Sequence, residues 1–237
     1  HKLMRSHIFF VFIFIALFIT SCNKSEDDGS GTGDAIIIAK KSGINTVYGV
    51  TLYAYSFSTF QSVKATNAVD ATKTYTLKVN QGYKTNFYYE TPDAEFTTTN
   101  PTATTFNFSA FIEYGVTDEF DDNLTDKVLA LPTIEKAEYN LTSADLGVTW
   151  KSVPDADSYA INIFDGTSLV YSSPELVNTL KYFAVGSSSG WVAGVTPVIG
   201  KTYTVRVLAF LYEPNGDSYN IQSVSMADSD KPIAWGK

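Results

Sequence analysis

Apolar and polar positions follow three regimes along the chain. From Ile8 to Ile19 every residue is apolar, "IFFVFIFIALFI"; from Asn23 to Asp34, "NKSEDDGSGTGD", none is. Beyond that, large apolar side chains recur at every second position in short stretches, the period of a strand whose successive side chains point to opposite faces. "DAIIIAKK" predicts a first strand. "GVTLYAYSF" sets Val50, Leu52 and Ala54 on one face and Tyr53 and Tyr55 on the other. "TYTLKV" alternates Tyr75, Leu77 and Val79, and "KTNFYYE" and "TTFNFSAFIEYGV" complete a set of six or seven strands. After Pro132 the alternation resumes with Leu146, Val148 and Trp150, then Tyr159, Ile161 and Ile163, then Tyr203, Val205 and Val207. "EPNGD" at 213–217 predicts a hairpin, because Asn215 and Gly216 tolerate positive φ, and "SYNIQSVSM" is the returning strand. The connections are polar and carry Asn, Asp, Gly or Pro. No amphipathic helical stretch follows residue 34. The expected fold class is all-β, as two tandem β-sandwiches.

The apolar run is too short to span a bilayer. Its twelve residues rise about 18 Å as a helix, against the roughly 20 residues that a hydrocarbon core needs. With Met4 as the natural start and Arg5 before it, the run reads as a secretory signal, and His1, Lys2 and Leu3 as an upstream extension. Ile19, Thr20 and Ser21 then lead to Cys22, the chain's one cysteine. This arrangement resembles the lipobox of bacterial lipoproteins, which implies cleavage before Cys22 and acylation of its thiol and new amino group. Each buried methylene contributes about 0.8 kcal/mol, so several acyl chains anchor a protein permanently. Cys22 is consumed as the lipid anchor, leaving no thiol for a disulfide or a nucleophile. The polar stretch after it is expected to be a flexible tether with a root-mean-square reach of about 20 Å. Its Lys24 followed by Glu26, Asp27 and Asp28 is similar to the export signal of surface lipoproteins in the Bacteroidota. That likeness implies an outer-membrane, cell-surface location.

The C-terminal half, over roughly residues 132–230, resembles a fibronectin type III domain. Trp150 matches that family's second-strand tryptophan. Ala156-Asp157-Ser158-Tyr159 resembles the start of its third strand. Gly200 to Tyr203 looks like the turn and tyrosine corner before the sixth strand, followed by Val205, Val207 and Ala209. The sequence departs from the family between Leu176 and Gly200, where the connection is longer and carries Trp191. The resemblance implies a scaffold or interaction module. The half before it is read as a second immunoglobulin-like sandwich. The expected division is a cleaved signal at 1–21, the lipidated cysteine and linker at 22–34, an N-terminal sandwich at 35–130 and a fibronectin type III-like domain at 131–237.

Composition narrows the chemistry. Losing Lys2 and Arg5 with the signal takes the 17 basic residues to 15 against 25 acidic ones, a formal charge of −10. With no basic patch, such a surface repels nucleic acid, which is not an expected partner. Both histidines, His1 and His7, lie before the cleavage point. The mature chain therefore lacks Ser-His-Asp catalysis, histidine zinc ligands and any imidazole proton shuttle. Carboxylate, lysine or tyrosine chemistry is what remains, and no enzymatic activity is expected. The acids Glu90, Glu113, Asp118 and Glu119 are the only basis for a glycosidase pair, and their spacing shows no cleft.

Three features stand out as candidate contacts. Trp191 follows "GSSSG"; it is either an exposed ring for a sugar or protein partner or a plug in a loop. In "FYYE" at 87–90, Phe87 and Tyr89 share a face that Tyr88 cannot, so Tyr88 and Tyr89 cannot both be core. One aromatic face then meets water, the other half or a partner. "VTDEFDDNLTD" at 116–126 holds five carboxylates and reads as a solvated acidic loop. Asp118, Asp122 and Asp126 are weak calcium candidates, because their spacing is not that of an EF-hand loop. No other cofactor than the covalent lipid on Cys22 is expected. The expected function is that of a non-enzymatic surface lipoprotein, as an accessory subunit of an outer-membrane β-barrel complex for transport or assembly. The alternatives are a glycan-binding lipoprotein of polysaccharide uptake and a structural adhesin.

Overall fold

β-Branched and aromatic residues at every second position make strands wherever both faces of the chain can be covered, and strands dominate the described residues. The computed structural model describes residues 31–237, except 58, 81–82, 113–115, 215 and 217–219. The expected signal, Cys22 and Lys24 lie outside the described residues, as do Glu113 and Asn215. The N-terminal half comprises β1 (Thr32–Ser42), β2 (Asn45–Tyr55), β3 (Phe60–Asn67), β4 (Thr74–Asn80), β5 (Tyr83–Glu90), a short 3-10 turn (Asp93–Glu95), β6 (Thr104–Ile112) and β7 (Thr117–Leu124). The C-terminal half comprises β8 (Ile134–Asn140), β9 (Asp145–Trp150), β10 (Ser158–Asp165), β11 (Ser168–Ser172), β12 (Leu176–Val177), β13 (Tyr182–Val185), β14 (Thr202–Tyr212), β15 (Ile221–Asp228) and β16 (Ile233–Ala234). No helix among the described residues is long and apolar enough to cross a membrane.

The strands form one large mixed sheet in the order β11-β10-β14-β15-β1-β2-β5-β4-β3-β6-β7, and a small sheet β13-β9-β8. The seam is β1. It pairs antiparallel with β2 along its whole length and parallel with β15 through Ile37–Ser223, Ile38–Val224 and Ala39–Ser225. A strand in the middle of a sheet with both faces covered needs an unbroken apolar run. "AIIIA" at 35–39 supplies it. Ala35 and Ile37 enter the core of the N-terminal half, with Leu52, Val63, Phe106 and Phe108. Ile36 and Ile38 face the other way, into a separate cluster with Leu208, Phe210, Val224 and Met226. Where two tandem sandwiches were expected, one large mixed sheet runs through both halves, with a small sheet beside it and an apolar contact shared between the halves.

In the C-terminal half the small sheet faces β10 and β14 across a core of Leu146, Val148, Trp150, Tyr159, Ile161, Ile163, Val205 and Val207. These are the residues that the alternation placed inward. The Tyr203 hydroxyl accepts a hydrogen bond from the Val198 amide at 3.1 Å, and the Trp150 and Tyr159 rings sit 5.4 Å apart.

Two expectations are corrected. The acidic stretch at 116–126 is not a loop: residues 117–124 form β7, paired with β6 from Phe111–Thr117 to Thr104–Leu124. Phe120 and Leu124 pack against the N-terminal core, while Glu119, Asp121 and Asn123 face water. Phe120 and Leu124 are two apolar residues among five acids, too few to announce a strand. The linker expected at 22–34 also ends early, since β1 begins at Thr32. Gly33 is not there for flexibility. A Cβ on it would lie 2.5 Å from the Phe108 ring, so the backbone approaches that ring as only glycine can.

Candidate functional site

The face of β1 that meets the C-terminal half carries Asp34, Ile36, Ile38 and Lys40 in turn, because alternate residues share a face. Ile36 and Ile38 are spent on the contact between the halves. Beyond Ile38 the two halves part, and a cavity of about 350 Å³ opens between them. That is within the size range of small-ligand sites. Ile38, Leu169 and Met226 give it apolar lining, and Thr51, Thr91, Thr167 and Thr204 add hydroxyl-bearing side chains.

Two aromatic rings flank the opening, one from each half. On the N-terminal side, the 3-10 turn after β5 sends the chain back along β2, where Tyr48 and Thr97 exchange backbone hydrogen bonds of 2.7 and 3.1 Å. This lays Phe96 over Gly49, where a Cβ would sit 2.8 Å from the ring. The Lys40 ammonium lies 3.9 Å from the centre of Phe96 and 2.6 Å from Asp93. Thr91 is fixed on the same wall, accepting from the Val50 amide at 2.8 Å and donating to the Val50 carbonyl at 2.9 Å. On the C-terminal side the Arg206 guanidinium lies 4.5 Å from the centre of Phe164. It donates to both oxygens of Asp228, at 2.6 and 3.0 Å. Each cation is thus held between a ring and a carboxylate.

Glu90 is the acid in this cavity without such a cation. Its Oε1 is buried and has no hydrogen-bond partner among the described residues. Burial, reinforced by Asp93 and opposed by Lys78 and Lys40, pushes its carboxyl up to about 7. Near neutral pH it is therefore both a donor and an acceptor. An anion entering the cleft has to displace Asp93 from Lys40 or Asp228 from Arg206. A neutral, hydroxyl-rich molecule meets threonine hydroxyls and Glu90 without breaking either pair.

Of the residues singled out from sequence, Glu90 lines this cavity, and the candidate contact residues lie elsewhere. Trp191 is half-buried, its indole N–H donating to the Gly186 carbonyl at 2.8 Å. Its ring meets Tyr171, Tyr203 and Trp235 edge-on at 5.3, 6.0 and 5.2 Å. The long connection in the C-terminal half therefore folds back and uses its tryptophan as packing. Tyr89 leans on Tyr75 at 4.7 Å over the N-terminal core, and Tyr88 packs on the contact between the halves. Among the three alternatives for the "FYYE" face, the other half covers it.

Of the three weak calcium candidates, Asp118 accepts from the Gly31 amide and Asp126 is exposed. Asp122 is brought to Asp34 of β1 and Glu213 at the end of β14, with carboxylate oxygens of all three within 4.8 Å of one another. Sequence reading did not join these three, nor find Phe96, Phe164, Lys40 and Arg206. Asp34 stood at the end of a polar linker and Glu213 in a hairpin. Phe96 follows a turn where no period guides the eye.

No protein-family model matches the chain, and no characterised protein sequence does. Among solved structures the chain has distant similarity to the 47-kDa lipoprotein Tp47 of Treponema pallidum, with a TM-score of 0.39 and 12% identity over 90% of this chain and 52% of that one. A 1.5-MDa bacterial ice-binding adhesin gives a TM-score of 0.29 and 14% identity over 89% of this chain and 66% of that one. Fibronectin(III)-like modules of Clostridium thermocellum CbhA give 0.25 and 12%, over 86% and 93%. This chain spans about half the length of the Treponema protein. The similarity is remote in all three, and none of their activities passes to this chain by it.

Proposed function

We propose that this chain is a lipid-anchored surface protein that acts by binding, without chemistry of its own, and that the cleft between its halves takes a hydroxyl-rich ligand such as a short glycan. The observation that carries this reading is the construction of the cleft. Apolar side chains, a phenylalanine from each half and threonines line it together with Glu90, whose buried Oε1 has no partner among the described residues, while both neighbouring cations already hold carboxylates. Sugars combine apolar ring faces with many hydroxyls, and this lining offers a surface for each. The lipobox-like segment and the Lys-plus-acidic tether support a place at the outer-membrane surface. The histidine-free mature chain supports the absence of catalysis.

A second reading, an accessory subunit beside an outer-membrane β-barrel, draws on a different observation. Val177, Leu180 and Tyr182 are 63%, 40% and 52% exposed within six residues of chain, a short apolar surface suited to a protein neighbour.

The test is a glycan array probed with the full chain in detergent micelles, beside a Phe164→Ala variant. Binding of at least one neutral glycan class is expected, weakened about tenfold by the variant for the loss of a ring contact of about 1–1.5 kcal/mol. Wild-type protein that binds nothing across the array sinks the glycan reading. Release of reducing ends from a bound glycan sinks the non-enzymatic one.

A further inference from the structure

Asp34 is the one buried charged residue on the face of β1 that meets the C-terminal half. It is 4% exposed, and neither carboxylate oxygen has a hydrogen-bond partner among the described residues. The Ile221 backbone beside it is the one group that favours its charged form. A buried carboxylate is normally paired with a cation or saturated with donors, because stripping its hydration costs several kcal/mol, roughly, when nothing replaces it. Here its neighbours are two more carboxylates. Asp122 spends Oδ2 on the Ala35 amide at 2.8 Å, and Glu213 keeps a buried Oε1 with no partner among the described residues. None of the three acids forms an ion pair with a lysine or arginine among the described residues.

We propose that Asp34, Asp122 and Glu213 form a binding site for a calcium-type divalent cation, which ties the β14–β15 turn of the C-terminal half to β1 and β7 of the N-terminal half. Two observations converge on it. One is the convergence of three carboxylates from three separate strands or strand ends. The other is the fully buried, unpartnered Asp34 aimed into that convergence.

Ligand chemistry favours the calcium type of ion. Ca²⁺ holds oxygens at about 2.3–2.6 Å, so two of its ligands stand at most about 4.6–5.2 Å apart. The three oxygens lie within 4.8 Å of one another, inside the diameter of that shell. Mg²⁺, with bonds of about 2.0–2.1 Å in a strict octahedron, brings its ligands within about 4.2 Å and resists losing water. Three protein carboxylates leave several positions of a six- to eight-oxygen shell to water. Such a partial set corresponds to the weak end of calcium binding, with a dissociation constant of about 10⁻⁴–10⁻³ M, a range found in extracellular modules. Burial, with repulsion from Asp121, pushes the Asp122 carboxyl up to about 6; burial and repulsion from Asp122 push Glu213 up to about 7, and burial with repulsion from Asp122 and Glu213 pushes Asp34 well above the usual carboxylate range. A cation at their centre relieves both causes.

The site adds a metal-dependent joint to the proposed binding function and stands independently of it, because it lies at the Asp34 end of the shared face and the cleft lies at the Lys40 end. The test is calorimetric titration of CaCl₂ into the full chain in non-ionic detergent, after treatment with a chelator, with thermal melts alongside. One saturable site per chain is expected in the range given above, together with a higher melting temperature in calcium. Asp34→Asn is expected to weaken binding roughly tenfold or more by removing a ligand charge. It should also raise the melting temperature of the metal-free protein, because it removes a carboxyl that folding must either protonate or bury charged. Glu213→Gln, near the surface, repeats the binding test should Asp34→Asn fold poorly. Absence of saturable binding in the wild type up to about 10 mM, beyond the weak end of the range, overturns the proposal. So does binding that neither substitution alters.

Discussion

Glu90 shows how one residue sets a response that the rest of the chain only modulates. Its carboxyl is pushed up to about 7 by burial, so the folded protein keeps a proton that the unfolded chain has released. The stability that this proton contributes is complete below the ordinary carboxylate pKa and is lost as pH rises through about 7. Asp34, Asp122 and Glu213 are also raised and act in the same direction. In metal-free buffer the melting temperature is expected to fall from about pH 5 to about pH 8, and Glu90→Gln is expected to make the fall shallower. Scanning calorimetry across that interval checks this, and an unchanged slope in the variant counts against it. Nothing in "FYYE" marks Glu90 as buried. Its place follows from the Asp93–Glu95 turn and the C-terminal half closing over the end of β5.

At the scale of elements, the segment between the halves is clamped instead of hinged. Gln222 of β15 is 1% exposed and accepts from the Thr125 amide at 3.1 Å. It donates to the carbonyls of Thr125 and Lys127 at 2.9 and 3.0 Å. Ser225 donates to the Leu129 carbonyl at 2.7 Å, and Val128 and Leu129 pack into the two different cores. Gln222→Ala removes three bonds and leaves part-buried backbone groups of Thr125 and Lys127 short of a partner, at a cost of about 1–3 kcal/mol in all. Urea denaturation is expected to show a loss of at least that size, whereas a surface glutamine would register almost nothing. The strand β15 was legible as "SYNIQSVSM", but nothing in that stretch shows that Gln222, Ser223 and Ser225 are buried. They are buried because a parallel neighbour, β1, and the connecting segment cover them. The misread acidic strand β7 has the same origin: its edge is covered by β1, to which Asp118 and Asp122 bond through the amides of Gly31 and Ala35.

At the scale of the whole molecule, the parallel β1–β15 pairing, the apolar cluster around Ile36, Ile38, Phe210 and Val224, and the Gln222 clamp all join the same two halves. Units linked by a continuous sheet and a common core lose each other's support when either opens. The full chain is therefore expected to unfold in a single calorimetric transition, with calorimetric and van't Hoff enthalpies in agreement. Two resolved transitions would show that the halves melt separately and that the seam contributes little. The cleft depends on this rigidity, since its two phenylalanines come from opposite sides of the seam.

What the sequence by itself determined is the class of the molecule. Period-two alternation fixes which residues of a strand share a face, because that period belongs to the backbone and not to its neighbours, and so Leu146, Trp150, Ile161 and Val207 were readable as core. The absence of histidine after His7 is likewise a property of the chain alone. Which strand lies beside which was decided only in the tertiary structure. Asp34, Asp122 and Glu213, or Phe96 and Phe164, come together over separations that no local pattern encodes. Pairing across such distances is chosen by which apolar faces can bury each other, and the unbroken run "AIIIA" could say that both faces of β1 are covered but not by what.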